Sequence, residues 1–167
     1  SSDFPLLSGT NNTIPGTYGG AQDACVFELS PNLDTLIWST YIGGAGKDAA
    51  YSMAFDDSSN LYLCGGTNST NLQISPNGID PSFNGGVDGF IIKINPTRDT
   101  ILNSTFYGTP SYDQTYFIDI DGDANVYVLG QTEGVITNTP GTFSNPNSGI
   151  FILGLTTNLD TLRFQTT

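Results

Sequence analysis

Residues 39–67 read "STYIGGAGKDAAYSMAFDDSSNLYLCGGT" and residues 104–132 read "STFYGTPSYDQTYFIDIDGDANVYVLGQT". Every residue of the first stretch lies 65 positions before its counterpart in the second. The match runs without a gap from 23–67 onto 88–132. Its identities include Asp23/Asp88, Gly43/Gly108, Asp48/Asp113, Tyr51/Tyr116, Asp56/Asp121, Asn60/Asn125, Tyr62/Tyr127 and Gly65/Gly130. Most other pairs exchange one apolar residue for another. A third copy, "GIFILGLTTNLDTLRFQTT" at 149–167, echoes "DACVFELSPNLDTLIWSTY" at 23–41. Internal repetition at this period is the first thing to settle, because it sets the architecture.

Each unit reads as four short strands. The first is "DACVFEL" (23–29), "DGFIIKI" (88–94) or "GIFILGL" (149–155). Alternate positions put Cys25, Phe27 and Leu29, then Phe90, Ile92 and Ile94, then Phe151, Leu153 and Leu155 on one face. Val26, Ile91 and Ile152 make the other face apolar too, as expected for a sheet covered on both sides. The turns "SPNLD" and "NPTRD" carry Pro where a type I turn wants a fixed φ. Repeated four-stranded antiparallel units fit the blades of a β-propeller. The expected fold is therefore all-β, an incomplete propeller of about two and a half blades. A two-sheet sandwich is the plainer alternative.

The units are placed at 23–67, 88–132 and 149–167 (truncated) within one segment, 1–167, with long loops at 1–22, 67–87 and 132–148. A propeller closes with about four to eight blades. The chain is thus expected to be a piece of a longer polypeptide whose remaining blades are its first partner. Cys25 and Cys64 are assigned to strands one and four of one sheet, roughly 14 Å apart. That is too far for a disulfide, and both are expected as free, buried thiols.

Composition narrows the chemistry. The chain has 167 residues, 20 Gly, 9 Pro, only 12% charged residues and a net charge of −12. Such a surface repels phosphate, which disfavours nucleic acid and anionic membranes. No apolar run approaches the roughly 18 residues of a membrane helix, so no membrane insertion is expected. There is no His, which removes the usual general base and the commonest zinc ligand. Carboxylate pairs could still cleave glycans, but no motif marks such a pair and the sialidase Asp box is absent. No catalytic residue and no cofactor are assigned.

The string "STYIGGAGKDAAYSMAFDDSSNLYLCGGT", with the leading "SSDFP", resembles the bacterial β-propeller repeat of the seven-bladed type. The likeness weakens at "STFYGTPSYD", which lacks the second Gly. Members of that family are mostly large secreted or surface proteins. In Bacteroidota many resemble type IX secretion cargo with a gliding-motility-associated C-terminal domain. The resemblance implies a non-catalytic structural or interaction module of a secreted or cell-surface bacterial protein, with a protein, a glycan or the outer-membrane secretion machinery as partner. A glycan-binding adhesin and part of a polysaccharide-cleaving enzyme are the alternatives.

Several residues invite a functional reading. Asp119, Asp121, Asp123 and Asn125 stand at every second position, as calcium ligands do. Their counterparts are Ala54, Asp56, Ser58 and Asn60, so only a turn explains both copies. The EF-hand pattern also fails at Ala124 and Gly130. Asp48 and Asp113 are read as loop caps, and the Tyr51/Tyr116 and Tyr62/Tyr127 pairs as core. Thr35, Thr100 and Thr161 follow Asp and precede an aliphatic residue, which is similar to the O-glycan acceptor rule of Bacteroidota. Asn11, Asn68 and Asn103 match the N-glycan sequon by chance. Phe4, Tyr18, Phe83 and Phe143 are the binding-loop aromatics.

Overall fold

The computed structural model describes residues 3–7, 14, 16, 18–145 and 147–167. Ten strands run in order: β1 (Ala24–Leu29), β2 (Leu36–Ile42), β3 (Asp48–Phe55), β4 (Leu61–Thr67), β5 (Asp88–Ile94), β6 (Ile101–Tyr107), β7 (Asp113–Ile120), β8 (Val126–Thr132), β9 (Ile150–Leu155) and β10 (Leu162–Thr166). They form a two-stranded sheet, β1-β2, and two four-stranded antiparallel sheets, β3-β4-β5-β6 and β7-β8-β9-β10.

The strands match the sequence reading, but the sheets do not coincide with the units 23–67 and 88–132. Each four-stranded sheet takes strands three and four of one unit and strands one and two of the next. The long segment 68–87 joins strands that are direct neighbours, β4 and β5. It is long because it detours along the outer strand, where Ser75 donates to the Ser104 carbonyl and Phe106 to the Asp80 carbonyl. The short links 43–47 and 108–112 are the ones that cross between sheets.

The three sheets stack face to face. Val26 and Trp38 meet Leu61, Leu63, Phe90, Ile92, Ile94 and Phe106 in one core layer. Tyr62, Cys64 and Ile91, from the other face of the middle sheet, meet Val126, Val128, Phe151, Leu153 and Leu155 in a second. Every residue of β4 and β5 is buried. The sheets come closest along β3 and β7, which makes these the inner strands of an arc.

Packing corrects the reading of the first unit. Cys25 is exposed and Phe27 is 47% exposed, whereas Ala24 and Val26 are buried. Phe27 corresponds to Ile92, whose face is covered by the preceding sheet, and among the described residues no sheet precedes β1. Ile152, on the far face of the last sheet, is open for the same reason. Both cysteines are free, but only Cys64 is buried. They lie in different sheets rather than three strands apart in one.

Each four-stranded sheet carries a bulge on its inner strand. The register skips Tyr51 between Ala50↔Gly65 and Ser52↔Cys64, and Tyr116 between Thr115↔Gly130 and Phe117↔Leu129. An extra residue there bends the strand and re-aims the side chain. The two tyrosine rings pack at a tilt of 46°, with centroids 5.4 Å apart. Tyr51 is 46% exposed, so it lines the inner surface rather than the core, and Tyr127 is likewise 38% exposed while Tyr62 is fully buried. Gly65 and Gly130 recur because of this bulge. A Cβ would come within 2.8 Å of the Phe90 ring or 2.2 Å of the Phe151 ring.

One polar node ties the middle sheet to the last. Lys93 Nζ, in a side chain 9% exposed, lies 3.8 Å from Asp56 Oδ2. It donates to the Thr157 carbonyl at 3.2 Å and sits 5.1 Å from the Tyr62 ring centroid. The Tyr62 hydroxyl donates within the same group, to Asp56 or to Thr157. Removing one partner of a buried charge leaves the other unsatisfied. Lys93→Ala is therefore expected to cost about 2–3 kcal/mol, while Lys93→Met in an Asp56→Asn background recovers part of it. Urea titrations of the three proteins check this.

Candidate functional site

The two ends of the strands differ. One end carries tight turns, and the other carries the long loops and the links between sheets. Four aspartates organise the loop end, and all four use one device. Oδ2 of Asp23, Asp48, Asp88 and Asp113 accepts the backbone N–H of the residue four positions earlier: Gly19 at 2.7 Å, Gly44 at 2.9 Å, Asn84 at 2.8 Å and Thr109 at 2.6 Å. Asp48 also takes the hydroxyls of Thr67 and Ser69. Loop capping is what Asp48 and Asp113 do.

A recurring glycine stands beside these carboxylates, between two of them at Gly108 and against Asp23 at Gly43. A Cβ on Gly108 would lie 2.8 Å from Asp88 Oδ1 and 3.3 Å from Asp113 Oδ2, and one on Gly43 would lie 2.9 Å from Asp23 Oδ1. Asp88 and Asp113 are fully buried, and Oδ1 of each has no hydrogen-bond partner among the described residues. Burial raises the Asp88 carboxyl to about 6, against the Asn84 bonds and with help from the charges of Asp80 and Asp113.

The acidic stretch 119–125 is a turn. Asp121 Oδ1 accepts the N–H of Asp123 at 3.0 Å and of Asn125 at 2.8 Å; Oδ2 takes the Asn125 amide and the Tyr127 hydroxyl. These bonds, that to Asn125 first, hold the Asp121 carboxyl below the usual carboxylate range. Asp56 makes the same set with Ser58, Asn60 and Tyr62. Ala124 and Ser59 sit at φ of 60° and 62°, the left-handed corner of this turn. Asp119 accepts the N–H of Ile120. Among the described residues, no three His, Cys, Asp or Glu side chains are grouped to hold a metal ion.

Thr35, Thr100 and Thr161 occupy the β1–β2, β5–β6 and β9–β10 turns, on the same end. Each hydroxyl donates to the aspartate before it, at 3.0, 2.8 and 3.1 Å. Thr35 and Thr161 are exposed, and Thr100 is half-buried. Of the sequon asparagines, Asn68 Oδ1 accepts the Lys47 N–H, Asn103 lies within β6, and Asn11 falls outside the described residues.

The four loop aromatics divide. Phe4 and Tyr18 pack on Tyr41, with centroids 6.1 and 5.5 Å away, and Phe83 packs on Phe106 at 5.8 Å. Only Phe143 stands in solvent, 80% exposed. Val135, 92% exposed, was invisible in the sequence, because a lone valine in a polar loop carries no periodic signal. It borders a cleft of about 330 Å³ shared by Asp80, Tyr107, Thr109, Leu162 and Gln165. There the Tyr107 hydroxyl donates to Gln165 Oε1 at 3.0 Å, and burial raises the phenol.

The sheets are antiparallel and stacked, converge along inner strands and recur with a 65-residue period. Residues 37–73 match a family model described as Beta-propeller repeat. The sheets are propeller blades. The matched span covers most of β2, all of β3 and β4 and the bulge at Tyr51. No curated protein matches the chain.

The buried Asp88 sets a pH dependence whose sign is fixed. Its folded value of about 6 exceeds the ordinary 3.8, so the folded blade binds the proton more tightly than the unfolded chain does. Its contribution is therefore most favourable below about pH 4, falls as pH rises to about 6, and is flat above. Asp88→Asn is expected to remove that slope and to raise the urea midpoint at pH 7.5. Paired titrations between pH 4 and 8 test it, and equal slopes in the two proteins would contradict it.

Proposed function

We propose that this chain is a non-catalytic β-propeller interaction module of a larger secreted or cell-surface bacterial protein, binding its partner through the loop end of the blades. The observation that carries the reading is the loop between β8 and β9. Its backbone is pinned along β10: Thr139 and Gln165 are joined by backbone and hydroxyl bonds, Asn145 N donates to the Thr167 carbonyl, and the Thr166 hydroxyl to the Phe143 carbonyl. Yet Val135 and Phe143 on that loop point into solvent. Apolar groups held rigidly in water bind at little entropic cost. The recurrent aspartates meanwhile serve the scaffold and leave specificity to loop residues that differ from blade to blade. With a net charge of −12, the module suits a neutral or cationic partner. Gliding motility and type IX secretion are the cellular settings that the family resemblance suggests for it.

The test is capture. The immobilised chain is exposed to outer-membrane protein and surface-polysaccharide fractions, and bound material is titrated against wild type and a Val135→Ser/Phe143→Ser variant. Truncating a central apolar contact typically costs 1–2 kcal/mol, so the pair is expected to weaken binding at least tenfold, with the melting temperature unchanged. Undiminished binding by the variant would reject the loop end. A glycan rather than a protein in the bound fraction would make the module an adhesin.

A further inference from the structure

The cleft beside Val135 lies between the outer strands of neighbouring sheets, with Tyr107 of β6 on one side and Leu162 and Gln165 of β10 on the other. Its volume of about 330 Å³ is at the low end of the roughly 300–1,000 Å³ of small-ligand pockets, which is room for one long side chain. Here the repeat separates scaffold from site. One period earlier, the places of Tyr107, Thr109 and Val135 hold Ile42, Gly44 and Thr70, and the β6 counterpart of Gln165 is Ser104. Gln165 and Ser104 share one duty, donating to the carbonyls of Thr137 and Gln73. The polar lining is otherwise particular to this junction, whereas the capping aspartates recur.

The bonding inside the cleft leaves acceptors facing it. The Tyr107 hydroxyl donates to Gln165 Oε1 at 3.0 Å, the Gln165 amide to the Thr137 carbonyl, and the Thr109 hydroxyl to Asp113 Oδ2 at 2.8 Å. Asp80 supplies the charge. Its backbone is clamped to β6: the N–H donates to Thr105 Oγ1 at 2.9 Å and the carbonyl accepts the Phe106 N–H at 2.9 Å. Its carboxylate accepts from Ser82 N and the Asn84 amide and forms no ion pair among the described residues. The four basic residues are engaged elsewhere. Lys93 faces Asp56, Arg98 faces Glu28, Arg163 acts on Tyr127, and Lys47 lines a different cleft with Gln22 and Gln114. Burial first, then the charges of Asp113 and Asp80, make the Tyr107 phenol harder to ionise, so both carboxylates are felt within the cleft.

Val135 and Leu162, both exposed, add an aliphatic rim. A long basic side chain carries both complements, methylenes for the rim and a charged head for the acceptors. A sugar would need an open ring face to stack on, and Tyr107 is buried, with its ring against Phe151 at 4.9 Å. We propose that this cleft receives a lysine or arginine side chain of a protein partner, its stem against Val135 and Leu162 and its charged head at the Asp80 carboxylate and Gln165 Oε1. The inference rests on the interaction-module reading and gives the partner a chemistry.

The probes are acetylated, amidated pentapeptides Gly-Leu-Xaa-Leu-Gly with lysine, arginine, norleucine or glutamate at the centre, titrated into the isotope-labelled chain and read by amide chemical shifts. The lysine and arginine peptides are expected to saturate shifts at Asp80, Thr109, Val135 and Gln165. Norleucine, which has the stem without the charge, is expected to bind about tenfold more weakly or worse, and glutamate not at all. Added salt should weaken the lysine peptide and spare the norleucine one. Asp80→Asn should cost the lysine peptide about tenfold and leave norleucine unchanged. Because Asp80 also shapes its own loop, the exposed rim supplies a second handle that does not touch the interior: Val135→Glu should tighten the lysine peptide and Val135→Lys weaken it. Equal affinity for lysine and norleucine, indifference to the sign of charge at position 135, or shifts away from the cleft would overturn the proposal. Capture through Val135 and Phe143 is a separate reading. Lost capture with equal lysine and norleucine binding would leave the loop end standing and remove only the cationic partner, and undiminished capture with lysine-selective shifts would do the reverse.

Discussion

Both faces of β4 and β5 are dry, and the rest of the molecule is arranged around that fact. A sheet whose two central strands bury every side chain must be covered twice. The covering surfaces are other copies of the same sheet: Val26 and Trp38 on one side, Phe151 and Leu153 on the other. Stacking of this kind has no internal reason to stop. It leaves Phe27 exposed at one end of the arc, and Phe117 and Ile152 at the other. The open faces are the same surfaces that are buried in the middle, one period out of step.

Close stacking limits what the inner strands can be. The bulges at Tyr51 and Tyr116 bend the strands where the sheets converge, and Gly65 and Gly130 are the residues that let a phenylalanine ring fill the space so made. At the loop end, glycine again yields room, here to the half-buried Asp23 beside Gly43 and to the buried Asp88 and Asp113 beside Gly108. A negative group in a dry junction is costly unless its lone pairs are used. Asp48 uses both oxygens, whereas Asp88 leaves Oδ1 without a partner among the described residues, and burial raises its carboxyl.

Local chemistry was legible residue by residue. The acidic run 119–125 resolves as a turn because Asp56 and Asp121 share a bonding set that Ala54 and Ser58 could not supply as metal ligands. Asp48 and Asp113 cap loops through bonds that span four residues, a distance a sequence can reveal. The loop aromatics were less legible. Phe4, Tyr18 and Phe83 look alike as isolated rings among Gly and Asn, yet each finds an aromatic partner on β2 or β6, which only the path of the loop decides. Val135 carried no signal at all.

The sequence by itself determined the strands, the 65-residue period, the turns and the amphipathic faces, because alternation, capping and repetition are local or self-referential properties. Tertiary structure alone decided which strands share a sheet. A repeat has no punctuation, so the same string can be cut between β2 and β3 or between β4 and β5. Hydrogen bonding made the cut at the short link, where the chain crosses between sheets, and not at the long loop that lies along the outer strand. Cys25 and Phe27 turn outward in consequence: their side chains alternate as the sequence says, but among the described residues no sheet covers that face, which on the middle sheet is covered by β1 and β2.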